Sequence, residues 1–144
     1  DKPLIRVIDD DDAMRNSWAF LIEGEGWDVK TYADAITFLS SNDYIRPGCL
    51  LLDVRMPHMS GLELQLKLRE AGCDLPIIFI SGHGDIDMAV NTLKAGAIDF
   101  LQKPVDDQRL LKTIENAVSH NLAQRRGKRE VTDTAAHQEG HGRW

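Results

Sequence analysis

Short apolar runs rich in β-branched residues alternate five times with longer segments of helical period. Parallel strands cannot be joined by a tight turn, so this alternation constrains the chain to βαβ crossovers and a mostly parallel sheet. The first strand is Leu4 to Ile8, apolar apart from Arg6, a continuity that suits a strand covered on both faces. Asp9 to Asp12 then stop it. Met14, Trp18, Leu21, Ile22 and Glu25 fall at helical spacing behind this acidic start, and Gly24 and Gly26 supply the C-terminal break. Val29 to Tyr32 reads as a second strand and Asp34 to Ser40 as a short helix. Arg46-Pro47-Gly48 is a turn by its chemistry, and Cys49, Leu50, Leu51 and Leu52 run straight into Asp53.

Leu62, Leu64, Leu66 and Leu68 alternate with polar residues, a period of two that formally favours a strand. A helix is nevertheless expected. The segment consists of strong helix formers, none β-branched, and a crossover is required before the apolar run Ile77 to Ile80, where Pro76 takes the first strand position. Ser81-Gly82-His83-Gly84 opens a loop; Ile86, Ala89, Val90 and Leu93 share one helical face ended by Gly96. Ala97 to Leu101 reads as the fifth strand, closed by Gln102-Lys103-Pro104, and Leu110, Leu111, Ile114, Ala117, Val118 and Leu122 as the last amphipathic helix. Residues 1–122 are therefore one domain. Residues 123–144, polar, without apolar period and carrying Gly127, Gly140 and Gly142, are expected to be a polar linker or disordered tail.

Composition narrows the function classes. The 144 residues contain no apolar run near the ~18 a membrane span needs, and the N-terminus has no basic region followed by an apolar one, so neither export nor membrane association is expected. Cys49 and Cys73 form no CxxC pair, which fits reduced cysteines and a cytoplasmic location. The formal charge of −6 argues against nucleic-acid binding by this domain itself. Charge is uneven, at −8 for residues 1–120 and +2 for 121–144, and the run Arg125, Arg126, Lys128, Arg129 resembles the start of an interdomain linker.

The residues with chemical potential all follow strands: Asp9 and Asp10 the first, Asp53 the third, Ser81 the fourth, Lys103 the fifth. In an open parallel sheet the carboxyl ends of the strands form the ligand crevice. Three carboxylates converging there repel one another unless a cation sits among them, and a hard divalent ion such as Mg2+ takes one or two carboxylates while leaving room for phosphate oxygens. Asp53 is then placed as a nucleophile toward phosphorus, Lys103 as a point charge for the transferred group, and the Ser81 hydroxyl with the Gly82 amide as donors to its oxygens.

Ile8-Asp9-Asp10-Asp11, Leu52-Asp53-Val54-Arg55-Met56-Pro57 with Ser60-Gly61, Ser81-Gly82-His83-Gly84-Asp85, Lys94-Ala95-Gly96-Ala97 and Asp99-Phe100-Leu101-Gln102-Lys103-Pro104 occur in this order. Their order and spacing over residues 4–118 resemble the receiver domain of two-component response regulators, in particular the FixJ/NarL-like and NtrC-like receivers. The resemblance implies a flavodoxin-like (CheY-like) α/β fold, a five-stranded parallel sheet of order 2-1-3-4-5 with five helices. It makes Asp53 the phosphoacceptor, Asp9 and Asp10 the acidic pair, and the backbone carbonyl of Arg55 a further ligand of Mg2+ (or Mn2+). It further implies that Ser81 and Phe100 are the switch pair, that Lys103 pairs with the phosphate, that the Lys103-Pro104 peptide is cis, and that a sensor histidine kinase is the donor. The domain then catalyses only its own phosphoryl transfer and autodephosphorylation.

Taken singly these residues are ordinary. Consecutive aspartates suit a helix N-terminus, Phe100 alone reads as a core aromatic, and His58 and His83 read as loop histidines because no second His or Cys lies at ligand spacing. His137 and His141, four apart in a Gly-punctuated tail, read as linker residues. A metal-dependent phosphohydrolase would use similar groups but needs a substrate pocket that about 120 folded residues hardly provide; a flavin module would need a Gly, Ser and Thr rich cradle where this chain has acids. The surplus of apolar residues at Ile86, Ala89, Val90 and Leu93 points to a partner or homodimer surface formed by helix 4 and strand 5. No recognition-helix pattern follows residue 120, so the expected context is the N-terminal part of a transcriptional regulator whose further domain would hold DNA, the alternative being a stand-alone receiver acting as phosphoryl shuttle or protein-binding module.

Overall fold

The computed structural model describes residues 2–82 and 86–137, with side chains as far as Lys128 apart from that of Ile86. His83, Gly84, Asp85 and His141 lie outside the described residues. The elements are β1 (Leu4–Ile8), α1 (Asp12–Gly24), β2 (Asp28–Tyr32), α2 (Ala35–Ser41), β3 (Gly48–Asp53), α3 (Gly61–Glu70), β4 (Ile77–Ser81), α4 (Ile86–Lys94), β5 (Asp99–Gln102) and α5 (Asp107–His137). All four strand pairings are parallel, in the order β2-β1-β3-β4-β5. This is the flavodoxin-like arrangement expected from the sequence.

The continuous apolar strands divide their side chains between two faces, because successive residues of a strand point to opposite sides. Cys49 and Leu51 of β3 join Ile5, Val7, Ile78 and Ile80 in a core closed by Trp18 and Ile22 of α1 and by Leu110, Ile114, Ala117 and Val118 of α5. Leu50 and Leu52 join Ile8, Ile77 and Phe79 on the other face, covered by Phe38 of α2 and by Leu64 and Leu68 of α3. The leucine alternation in α3 resolves accordingly. Leu64 and Leu68, four apart, are buried, whereas Leu66 is 52% exposed. A capping box starts this helix: the Ser60 hydroxyl accepts from the Glu63 amide at 3.1 Å and the Glu63 carboxylate accepts from the Ser60 amide at 3.2 Å.

Two expectations need correction. β5 begins at Asp99 instead of Ala97, because Gly96 at φ 102° turns the chain and only the Ile98 amide, donating to the Ile77 carbonyl, approaches the sheet edge before it. The larger correction concerns the tail. α5 passes unbroken through the expected boundary at residue 122 and runs to His137. Loss of apolar period marks where a helix leaves the core without ending it, and this segment is rich in the helix formers Ala, Gln, Arg, Lys and Glu.

Arg125 also belongs to the domain. Its guanidinium forms a forked pair with the Asp74 carboxylate, 2.9 Å to each oxygen, and donates to the carbonyls of Ile45 and Tyr44. From the opposite side the fully buried Arg6 donates to the carbonyls of Asp43 (2.9 Å) and Arg46 (2.8 Å), and the Leu4 amide to that of Pro47. Five consecutive carbonyls, residues 43–47, are thus satisfied from β1 and α5. A charged group in an apolar strand persists because each of its three nitrogens donates to a carbonyl, the third to that of Leu4 at 2.8 Å; burial nevertheless pulls the Arg6 pKa below its ordinary value. One turn before Arg125, buried Asn121 donates to the Asp74 carbonyl at 3.2 Å and accepts from the Gly48 amide at 3.0 Å.

Arg125→Ala is expected to lower the free energy of unfolding by about 1–3 kcal/mol, since it strands a half-buried carboxylate and two loop carbonyls. Arg125→Lys should fall between, keeping charge without the fork. Urea titration followed by far-UV circular dichroism reads both, and midpoints equal to that of the unaltered chain would contradict the clamp.

Candidate functional site

The register of the sheet assembles the site. Ile8 pairs with Leu52, so Asp9 and Asp53 leave neighbouring strands side by side, and Ser81 pairs with Gln102, which sets Lys103 beside the end of β4. A backbone hydrogen bond of 2.7 Å from the Lys103 amide to the Ser81 carbonyl ties the last two strands together there. The Lys103–Pro104 peptide is cis.

The four aspartates after β1 do four different things. Asp9 is fully buried, and its Oδ1 accepts from the Asp11 amide at 2.8 Å. Asp10 is exposed, yet offers a carboxylate oxygen to the same cluster: ligand atoms of Asp9, Asp10 and Asp53 all lie within 4.8 Å of one another. Asp11 caps α1 by accepting from the Met14 amide at 3.1 Å, and Asp12 pairs with Arg15, whose guanidinium also donates to the Asp9 carbonyl at 2.7 Å.

Asp53 is 8% exposed at the end of β3, and its Oδ1 accepts from the Arg55 amide at 3.1 Å. Burial, then the neighbouring Asp9 charge, push its pKa up to about 6, against the opposing pull of Lys103. Burial likewise raises the pKa of Asp9. The Lys103 ammonium stands 3.7 Å from Oδ2 of both Asp9 and Asp53 and lies over the Trp18 ring, 5.6 Å from its centroid. Ser81 is buried, and Phe100 is half-buried with its ring 6.3 Å from that of Phe79.

The local backbone under Asp53 depends on Gly61. Its amide donates to the Val54 carbonyl at 2.9 Å, and a Cβ there would stand 2.5 Å from the Asp53 carbonyl oxygen and 2.9 Å from the Phe79 ring. Only glycine lets α3 approach so closely. In the sequence Gly61 stands within a motif and Trp18 at helical spacing, and neither position carries a local sign of these roles.

The donor set fits a hard divalent cation. Among the described residues, Oδ2 of Asp9 is buried without a hydrogen-bond partner, and the three carboxylates are approached by the Lys103 ammonium.

With this arrangement in view, the sequence matches the response regulator receiver domain over residues 5–115. The chain belongs to that family. It is 44% identical over 133 residues to the response regulator protein TmoT of Ectopseudomonas mendocina, covering 92% of this chain and 60% of that protein. It is 40% identical over 132 residues to the transcriptional regulatory protein FixJ of Bradyrhizobium diazoefficiens, covering 92% and 64%. Among solved structures, the response regulator StyR superposes with a TM-score of 0.86 at 44% identity, covering 95% of this chain and 69% of that one. FixJ-N superposes at 0.78 with 40% identity, covering 83% and 96%. The receiver thus spans about 60% of the length of curated relatives such as TmoT. No helix among its described residues is long and apolar enough to cross a membrane.

The raised Asp53 pKa carries a stability consequence. A carboxyl that keeps its proton to higher pH when folded than when unfolded favours the fold below its unfolded pKa, and this contribution is lost as pH rises from about 4 to about 6. In metal-free buffer, Asp53→Asn should therefore be more stable than the parent at pH 7, by on the order of 1–3 kcal/mol, with the gap closing toward pH 4. Urea midpoints of both proteins across this range measure it; a gap independent of pH would refute the assignment.

Proposed function

We propose that this receiver accepts a phosphoryl group on Asp53 from a sensor histidine kinase and passes the change in charge to its α4/β5/α5 surface. The observation that carries the reading is the position of Asp53, which shares Lys103 with Asp9 and lies within the reach of a three-carboxylate cation site. Asp9, Asp10, Asp53 and the Arg55 carbonyl would hold Mg2+ or Mn2+, which supplies positive charge against the phosphoryl oxygens. A carboxyl with a pKa of about 6 is mostly ionised at pH 7, so the nucleophile is available before any cation adds to it.

In the transfer, one Asp53 carboxylate oxygen forms a bond to phosphorus as the phosphorus–nitrogen bond of the kinase's phosphohistidine breaks, and the leaving imidazole takes a proton. Lys103 pairs with the incoming oxygens and Ser81 donates to them. The phosphorylated residue adds about −1.5 to −2 charge to the crevice. Movement of Ser81 toward it opens space behind β4 for the Phe100 ring, already half-buried beside Phe79. Hydrolysis of the acyl phosphate returns the domain to its starting state.

The output surface is the apolar face of α4. Val90 and Leu93 are each 46% exposed and Ala89 is half-buried beside them, while the Ile86 side chain lies outside the described residues. This face supports a homodimer of phosphorylated receivers. Relatives such as FixJ are named as transcriptional regulatory proteins and are longer than this chain, which favours a role as the N-terminal part of a cytoplasmic regulator that reaches DNA through another domain.

Intact-protein mass after incubation with Mg2+ and a small acyl phosphate should show one added phosphoryl group, absent from Asp53→Asn and from a chelator-treated sample. A folded, Mg2+-loaded protein that takes no label from either an acyl phosphate or a histidine kinase would overturn the reading. Sedimentation of the labelled protein should give a dimer that Leu93→Lys returns to monomer; a labelled protein that stays monomeric at all concentrations would remove the dimer surface.

A further inference from the structure

The Lys103 ammonium must hold one position to serve the crevice, yet its two carboxylates stand at 3.7 Å, beyond hydrogen-bond distance. The four-carbon stem leaves a loop and borders a cavity of about 550 Å³, lined also by Met14, Ser17, Trp18, Leu21 and Val105. A flexible side chain beside open space is not confined by two loose ion pairs alone. Among the described residues, the ammonium also lies over the face of Trp18, 5.6 Å from its centroid, within the range where a cation is drawn to an aromatic quadrupole.

Trp18 is itself fixed. It is 7% exposed and packs in the core shared by α1, α5 and the sheet, with Ile5 and Val7 of β1. Asp9 follows Ile5 and Val7 on that same side of β1, and Asp53 follows Cys49 and Leu51 on that side of β3. The indole therefore belongs to the layer of side chains that ends in the two acids. It stands beside the ammonium together with those acids.

Resting on the phosphoacceptor reading above, we propose that Trp18 is a positioning residue for Lys103: its ring holds the ammonium over the crevice, between Asp9 and Asp53, ready for the phosphoryl oxygens. Leucine is apolar but smaller, so it leaves part of the core unfilled and also offers the ammonium no π-face, which is why rate and stability are read separately. The position of Lys103 thus depends on aromatic character at residue 18 and not on volume alone.

The test separates packing from positioning. Trp18→Phe and Trp18→Leu are compared for the initial rate of acyl phosphate labelling with Mg2+ and for their urea midpoints. Trp18→Leu should label about three- to tenfold more slowly, with Trp18→Phe recovering much of the loss even where the two are equally stable. In a Lys103→Met background the Trp18→Leu change should have no further effect on rate, whereas a purely structural role gives the same loss with or without the lysine.

A second measurement needs no phosphorylation. The chain has three tryptophans, so Trp27→Phe combined with Trp144→Phe leaves Trp18 as the sole emitter. Lys103→Met in that protein should shift the emission maximum, because the charge over the ring is gone. Equal labelling by the Phe and Leu variants together with unchanged emission would overturn the role of Trp18. Absence of labelling in the parent chain would instead count against the phosphoacceptor reading, and the emission shift would still decide whether the ammonium rests on the ring.

Discussion

Two carboxylates at the ends of adjacent parallel strands, with one ammonium shared between them, set the terms for the crevice. The β1–β3 register brings Asp9 and Asp53 together, and the apolar strands behind them exclude water from one side. Burial raises the pKa of both acids, and neighbouring carboxylates act in the same direction, Asp9 on Asp53 and Asp10 and Asp11 on Asp9, against the opposing pull of Lys103. The crevice is left with a deficit of positive charge. On the proposed reading a cation would offset it and a phosphoryl group on Asp53 would renew it, and the residues around the acids are held by strand ends.

The strands were legible in the sequence because burial on both faces demands uninterrupted apolar runs, and the sheet order followed from the motifs those strands carry. The leucine alternation of α3 was misleading as a period and was resolved by the need for a crossover; in the fold, Leu64 and Leu68 face the core and Leu66 faces water. What could not be read were pairings between distant residues. Trp18 at helical spacing looks like any core aromatic, and nothing local joins it to Lys103. Arg125 likewise stands in a basic run that looks solvated, while its partners Asp74 and Ile45 lie 51 and 80 residues away. Arg6 did carry a signal: a lone charge within an apolar strand must find acceptors, and the carbonyls of the loop before β3 supply them.

The two ends of the sheet solve opposite problems. At the carboxyl edge, oxygens are gathered in excess of donors, Oδ2 of Asp9 among them. At the amino edge, guanidinium groups from β1 and α5 use up each carbonyl from residue 43 to residue 46, and the Leu4 amide takes that of Pro47. The first end is arranged to accept a ligand and the second to stay as it is, so a change at Asp53 is felt against a fixed base.

That fixed base has a mechanical side. α5 is gripped at Asn121 and Arg125 and continues to His137, twelve residues farther, or about 18 Å at 1.5 Å per residue. Over such an arm, a tilt of about 5° at the grip carries the far end sideways by about 1.6 Å. A helix gripped at one end has the leverage of a pointer: any small angular adjustment at the grip would appear at its far end as a displacement as large as an atomic radius.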